Sequence, residues 1–345
     1  MKSLVWTAPR RMEMQETETP VPAADEVLLR VAYVGICGSE LSGYLGQNKL
    51  RVPPLVMGHE FSGTIEALGS DVSERFPDLA LGMQAAVNPL YCAGESELQE
   101  QGLPHLCPTR RLIGAHRPGA YAEYVAVPAS TVYPLPDSLS MAEGAMAEPV
   151  AVAVRIGDLA GNIEGQTCLI MGAGPIGLLA LQVFLMKGAA RVFVGDLSRE
   201  RLAMASDLGG NALHPQDSDI VKAVREASRQ GLGAAVALDA VGAAVTREQC
   251  VSATRSAGTV ILSGLHEETS TIPAADIIRR EIVVRGAFAY TPGNFAQAVD
   301  LLASEKVRLA PWIVEAPLSE GGKWFDRLID APGDVAKVLL RPGAV

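Results

Sequence analysis

The segment Gly172-Ala173-Gly174-Pro175-Ile176-Gly177 decides the fold. The apolar run Cys168 to Met171 leads into it, and an apolar, helix-length stretch leaves it toward Lys187 and stops at Gly188. A G-x-G-x-x-G between a strand and a helix is a dinucleotide cradle. Gly172 permits the tight turn, Gly174 leaves room for a pyrophosphate against the backbone, and Gly177 lets the helix pack close to the sheet. Pro175 and Ile176 open that helix, whose unpaired N–H groups and positive dipole end suit phosphates. Asp196 ends the next strand, about twenty residues past the last glycine, where a carboxylate can accept both adenosine ribose hydroxyls. It would also repel a 2′-phosphate, which favours NAD over NADP. The alternative is a turn or cap residue before Ser198. Arg199 and Arg201 stand nearby, and Arg201 is counted with the cofactor-binding residues.

Downstream of this segment, apolar strands alternate with helix-length stretches, the pattern of a parallel sheet covered by helices. The expected strands are Cys168 to Met171, Arg191 to Val194, Ala235 to Asp239, Thr259 to Ser263 and Ile282 to Val284. Asn294 to Leu302 has helical spacing, and Ala336 to Leu340 reads as a last strand. Upstream the texture changes to short β-type runs broken by Gly and Pro, such as Glu26 to Val31 and Tyr121 to Pro128. A chain of 345 residues with 48% apolar content can bury two cores, so two domains are expected.

The formal charge of −10, with no Lys/Arg cluster to offset it, argues against a nucleic-acid partner. No stretch reaches the roughly 18 apolar residues of a membrane span, and the first residues lack the apolar region of a signal peptide. The chain therefore reads as cytoplasmic. Its five cysteines (37, 92, 107, 168, 250) are odd in number and scattered, which fits reduced thiols and metal ligands better than a disulfide framework.

The chemistry must come from outside the nucleotide segment. Gly35-Ile36-Cys37-Gly38-Ser39-Glu40 and Gly58-His59-Glu60-Phe61-Ser62-Gly63 put a thiolate candidate, an imidazole and carboxylates in glycine-bounded turns. Glu148 precedes Pro149 at the seam between the two textures. Singly, Cys37 is as readily a small core residue, His59 a hydrogen-bonded core histidine and Glu148 a helix cap.

Taken together, these segments resemble the medium-chain, zinc-dependent alcohol and polyol dehydrogenases, especially the sorbitol, threonine and butanediol dehydrogenase branch. Asn88-Pro89-Leu90, Gly119 to Tyr124, Glu148-Pro149, the glycine segment, Asp196 and Gly286-Ala287-Phe288 carry the resemblance over nearly the whole chain. It implies an α/β protein: a GroES-like, mostly β catalytic domain over 1–152, completed by 288–345, and a Rossmann NAD-binding domain over 153–287. It also implies one catalytic Zn2+, NAD, a small alcohol or polyol substrate, and a homodimer or homotetramer. Cys37 and His59 match the zinc ligands, and Glu60 and Glu148 match carboxylates that reach the metal directly or through water. Ser39 matches the hydroxyl that hydrogen-bonds the alcohol. Glu40 stands where the family usually has Asp, orienting the ligating imidazole.

The chain departs from the family at several places. Ser42 stands where many members have a proton-relaying His, and Phe288-Ala289-Tyr290 lacks the Arg that sorbitol dehydrogenases use for a substrate hydroxyl. Tyr44 and Tyr290 read as packing aromatics or, alternatively, as pocket hydroxyls. A structural-zinc lobe retains only its outer cysteines, Cys92 and Cys107, with Glu95 and Leu98 at the second and third positions. One zinc is therefore expected, with a site built from Cys92, Glu95, His105 and Cys107 or a Cys92–Cys107 disulfide as disfavoured alternatives. The resulting expectation is oxidation of a secondary alcohol, vicinal diol or polyol by NAD. Threonine or 2,3-butanediol dehydrogenase activity is the alternative, and a non-enzymatic NAD-binding protein the rival of another class.

Overall fold

A computed structural model describes residues 1–343. The chain divides into two units, one of Met1–Glu148 with the segment from Thr291 onward, the other Pro149–Tyr290.

The second unit is built on a six-stranded sheet in which every pairing is parallel. Its order is Asn211–Leu213, Arg191–Gly195, Thr167–Met171, Ala234–Asp239, Thr254–Leu262, Val283–Gly286. Helices Pro175–Met186, Ile220–Ala227 and Ala244–Ala253 are among the crossovers. Cys168, Leu169, Ile170 and Met171 are all buried, because a central parallel strand is covered on both faces. The strand order reverses beside that strand, and the glycine segment lies at its carboxyl end, the place where doubly wound sheets bind ligands. The bounds of all five expected strands shift, most of all in the last two. The fifth strand begins at Thr254 rather than Thr259, since the positive φ of Ala257 bends the chain without ending its pairing. The sixth is Val283–Gly286, one residue later than expected at its start.

The first unit carries a seven-stranded sheet, antiparallel except where Ile313–Pro317 pairs Lys337–Arg341. Glu26–Gly35 lies at its centre, paired with Glu60–Leu68, Tyr124–Pro128 and Lys337–Arg341. Val27, Leu29 and Val31 alternate into the core against Phe61, Ile65, Val338 and Leu340, the period of two that a half-buried strand imposes. Register places Gly35 opposite Glu60 on one side and Leu339 on the other. The final strand thus enters beside the Gly35–Cys37 turn.

The cysteines need a correction. Cys92 and Cys107 are joined as a disulfide, and only Cys37, Cys168 and Cys250 are free. The strands Leu90–Cys92 and Arg110–Leu112 pair with Cys92 opposite Arg110, and this folds Cys107 back onto its partner. Glu95 is exposed on the intervening loop. Among the described residues, no helix is long and apolar enough to cross a membrane.

Candidate metal and dinucleotide sites

The Gly35–Glu40 turn explains its own composition. Cys37 is the N-cap of the helix Gly38–Tyr44, and Glu40, at the third helical position, accepts the Cys37 N–H at 3.1 Å. The same carboxylate reaches across to the next segment. Its Oε1 accepts from Gly58 N at 2.8 Å and lies 2.9 Å from His59 Nδ1, while its Oε2 accepts the Tyr121 hydroxyl at 2.5 Å. Glu40 is fully buried; burial alone would raise its pKa, but His59, Arg51 and Tyr121 outweigh it and bring it down to about 2. It is therefore an ionised acceptor serving four donors. The methylene that distinguishes it from Asp is accommodated, and His59 Nδ1 is committed to it, leaving Nε2 for a ligand.

Cys37, His59 and Glu60 each present a ligand atom within 4.8 Å of the others. A sulfur, an imidazole nitrogen and a carboxylate oxygen at this spacing fit zinc with a position left open. Burial disfavours a charged His59, yet Glu40 and Cys37 raise its pKa well above 6.5, so a cation at Nε2 takes the place of a proton the site already attracts. Gly35 supplies room, because a Cβ there would run into the Glu60 carboxylate. Glu148 does not join the three. It is buried in the first turn of the helix Ala147–Ala160, and its charge is felt through Lys337.

Lys337 was not foreseen. Its Nζ, 2% exposed as a residue, donates to both Glu60 oxygens at 2.6 and 2.8 Å and to Ile36 O at 3.1 Å. Burial would lower its pKa, but Glu60 and Cys37 raise it, so the ammonium stays charged. The signal was one cation in an otherwise apolar strand. Arg51 was also missed: its Nη1 donates to Ser39 O at 3.2 Å and its Nη2 to Ser39 Oγ at 3.4 Å. Ser39 Oγ in turn points to Cys37 Sγ at 3.4 Å. Ser42, at the place of the relay His, donates to Ser39 O at 2.9 Å and secures the turn. Tyr44 packs on Phe325 and donates to Asp326, as a packing aromatic does; Tyr290 is buried.

In the second unit Gly172 adopts φ +102°, a conformation only glycine takes readily. A Cβ at Gly177 would strike the Gly172 carbonyl, whereas one at Gly174 would meet nothing within 4 Å. The space at Gly174 is therefore open to a ligand. Pro175 and Ile176 begin the helix above it. Asp196 accepts from Ala173 N at 2.7 Å and from Ser198 N at 2.8 Å, tying the end of its strand to the glycine turn. Arg199 is occupied by Asp217, with bonds of 2.7 and 2.8 Å, and Arg201 has a buried Nε without an acceptor.

A Cys/His/carboxylate donor set in one unit and a glycine-rich dinucleotide turn in the other define a metal-dependent, nicotinamide-linked oxidoreductase. Residues 23–137 match the alcohol dehydrogenase GroES-like domain and residues 175–304 the zinc-binding dehydrogenase domain. D-arabitol-phosphate dehydrogenase of Enterococcus avium is 32% identical over 99% of this chain and 97% of its own length. Sorbitol dehydrogenase of Homo sapiens is also 32% identical, over 98% of this chain and 95% of its own length. A dehydrogenase structure from Sinorhizobium meliloti 1021 bound to NADP superposes with TM-score 0.90 at 30% identity, covering 99% of each chain. The chain belongs to the zinc-dependent medium-chain alcohol and polyol dehydrogenases.

Proposed function

We propose that this protein oxidises a secondary alcohol, vicinal diol or polyol with NAD, using one zinc. The observation that carries the reading is the Cys37, His59 and Glu60 donor set with His59 Nδ1 fixed by Glu40. When bound, the zinc polarises the substrate hydroxyl and the nicotinamide accepts the hydride from the carbinol carbon. Cys37 and His59 would hold the metal. Glu60 would be the third ligand, restrained by Lys337, and Glu148 would reach it through water. Ser39 Oγ accepts a hydrogen bond from the substrate hydroxyl and, as it takes that proton, releases its own toward solvent. Arg51 donates to the other side of that oxygen.

NAD is favoured because Asp196 offers a carboxylate to the adenosine ribose while Arg199 is neutralised by Asp217, leaving a 2′-phosphate facing an anion. Gly172, Gly174, Pro175, Ile176, Gly177 and Arg201 would line the cofactor. The D-arabitol-phosphate and sorbitol dehydrogenases among the relatives support a polyol as substrate. Self-association, as a homodimer or homotetramer, is supported by the edge strand Val283–Gly286, whose residues are all exposed, with Phe288 43% exposed just beyond it.

The deciding experiment is an initial-rate panel of secondary alcohols, diols, sugar alcohols and threonine with NAD and NADP, repeated after chelation. Turnover that vanishes on chelation and returns with zinc is expected. Cys37→Ala or His59→Ala should abolish turnover and zinc retention while dinucleotide binding survives. Full activity of metal-depleted protein would sink the reading.

A further inference from the structure

Among its described residues the second unit buries one carboxylate and one guanidinium, and they face each other at the end of the sheet where the glycine turn lies. Asp239 closes the strand Ala234–Asp239 and is fully buried; Arg247, 8% exposed, sets its Nε 3.6 Å from the Asp239 Oδ2. A buried ion pair is a weak stabiliser, because the cost of taking both charges out of water offsets their attraction, and apolar residues would serve a core as well. What this pair does is fix backbone. The Asp239 carboxylate accepts from Val241 N at 3.1 Å, from Gly242 N at 3.0 and 3.1 Å, and from Thr246 Oγ1 at 2.9 Å. Arg247 directs its donors to the next loop: Nη1 donates to Ser270 Oγ at 2.7 Å, and Nη2 to Glu267 O at 2.9 Å and Gly264 O at 3.4 Å.

The two loops so held are packed backbone to backbone. A Cβ on Gly264 would lie 2.2 Å from Gly242 N, and one on Gly242, at φ +89°, would lie 2.3 Å from the Gly264 carbonyl carbon. Glu267 ties them further: its N donates to Gly242 O at 2.9 Å and its carboxylate accepts from Ala244 N at 3.0 Å. The 240–242 turn bears in turn on the glycine segment. Ala240 N donates to Met171 O at 2.9 Å, and a Cβ on Gly172 would lie 2.8 Å from Val241 Cγ2. With the adenosine at Asp196, as proposed above, the other half of the dinucleotide falls across the Thr167–Met171 strand, beyond the carboxyl ends of Ala234–Asp239 and Thr254–Leu262. Those are the two ends that Asp239 and Arg247 hold, and Leu265, 81% exposed, offers an apolar surface on the held loop.

We infer that Asp239 and Arg247 are positioning residues for the nicotinamide ring. They touch no part of the cofactor and act through the 240–242 turn and the 264–270 loop, whose fixed backbone sets where the hydride-accepting ring comes to rest. No proton or electron passes through the pair; its contribution is geometric. The inference rests on the nicotinamide-linked reading above.

The test compares NADH with ADP-ribose, which lacks only the ring, in calorimetric titrations of the full-length, zinc-loaded enzyme. Arg247→Met should weaken NADH by about tenfold and ADP-ribose by less than about twofold, since charge-assisted bonds to the ring-side loop are lost while the adenosine and phosphate contacts stay. Arg247→Lys keeps a charge opposite Asp239 and should recover part of the difference. Ser270→Ala removes one anchor of the loop and leaves the buried pair intact. It should show the same selective loss, about threefold, and it decides the matter if Arg247→Met does not fold. Equal losses for the two ligands, or no loss for either in both variants, would reduce the pair to a brace of the fold and overturn the inference. A wild type that binds neither ligand would fail the nicotinamide-linked reading itself, an outcome distinct from a selective loss that never appears.

Discussion

Glu40 accepts four hydrogen bonds on two oxygens, so its replacement has a directional consequence. Glu40→Gln places an NH2 group where two donors already converge, and the site must open or reverse one of them. We expect a loss of roughly 1.5–3 kcal/mol together with weaker zinc retention, read by urea unfolding and metal analysis. The pH dependence follows from the sign of the shift. The folded pKa, about 2, lies below the ordinary 4.5, so the ionised carboxylate contributes stability above 4.5 that is lost as pH falls toward 2. In metal-free protein the gap between wild type and Glu40→Gln should narrow over that window; a gap independent of pH would show that the charge is not what matters. Asp196→Ser removes both the acceptor for the ribose and the tie to Ala173, so the NAD over NADP preference should drop more than tenfold, about 1.5 kcal/mol or more. An unchanged ratio of kcat/KM values would remove Asp196 from cofactor choice.

At the scale of elements, the glycine turn separates two demands that a sequence motif merges. Gly177 is required by the protein itself, since its Cβ would enter the Gly172 carbonyl; Gly177→Ala should cost roughly 3 kcal/mol in denaturant titrations. Gly174 faces open space with an ordinary φ of −74°, so Gly174→Ala should keep its stability and lose dinucleotide affinity by fluorescence titration. Equal losses in both assays for the two variants would contradict this division. The parallel unit was legible because its central strands are buried on both faces and its turn residues obey local rules. The Cys37 and His59 turns were legible because short glycine-bounded segments carry several polar side chains at once. Lys337 and Arg51 were not. Lys337 sits 277 positions from Glu60 and is one letter in an apolar strand, while Arg51 lies in an irregular stretch whose path only tertiary packing determines. Glu148 stands in a helical first turn that the sequence could not position against the donors.

For the molecule as a whole, metal content is the quantity that the fold constrains most directly. With Cys92 and Cys107 bonded to each other and Glu95 exposed, neither sulfur of that lobe is a free thiolate for a second metal. Elemental analysis of freshly purified protein should give about one zinc per chain. A value near two, appearing after reduction and lost in Cys107→Ser, would show that the lobe binds metal once its sulfurs are released. The final strand has a different bearing on the metal. It slots beside Glu26–Gly35 and delivers Lys337 to Glu60 from the far end of the chain. A variant truncated before Lys337 lacks this strand and leaves Glu60 without its buried cation, so it is expected to keep dinucleotide affinity and to lose zinc retention, read by fluorescence titration and metal analysis.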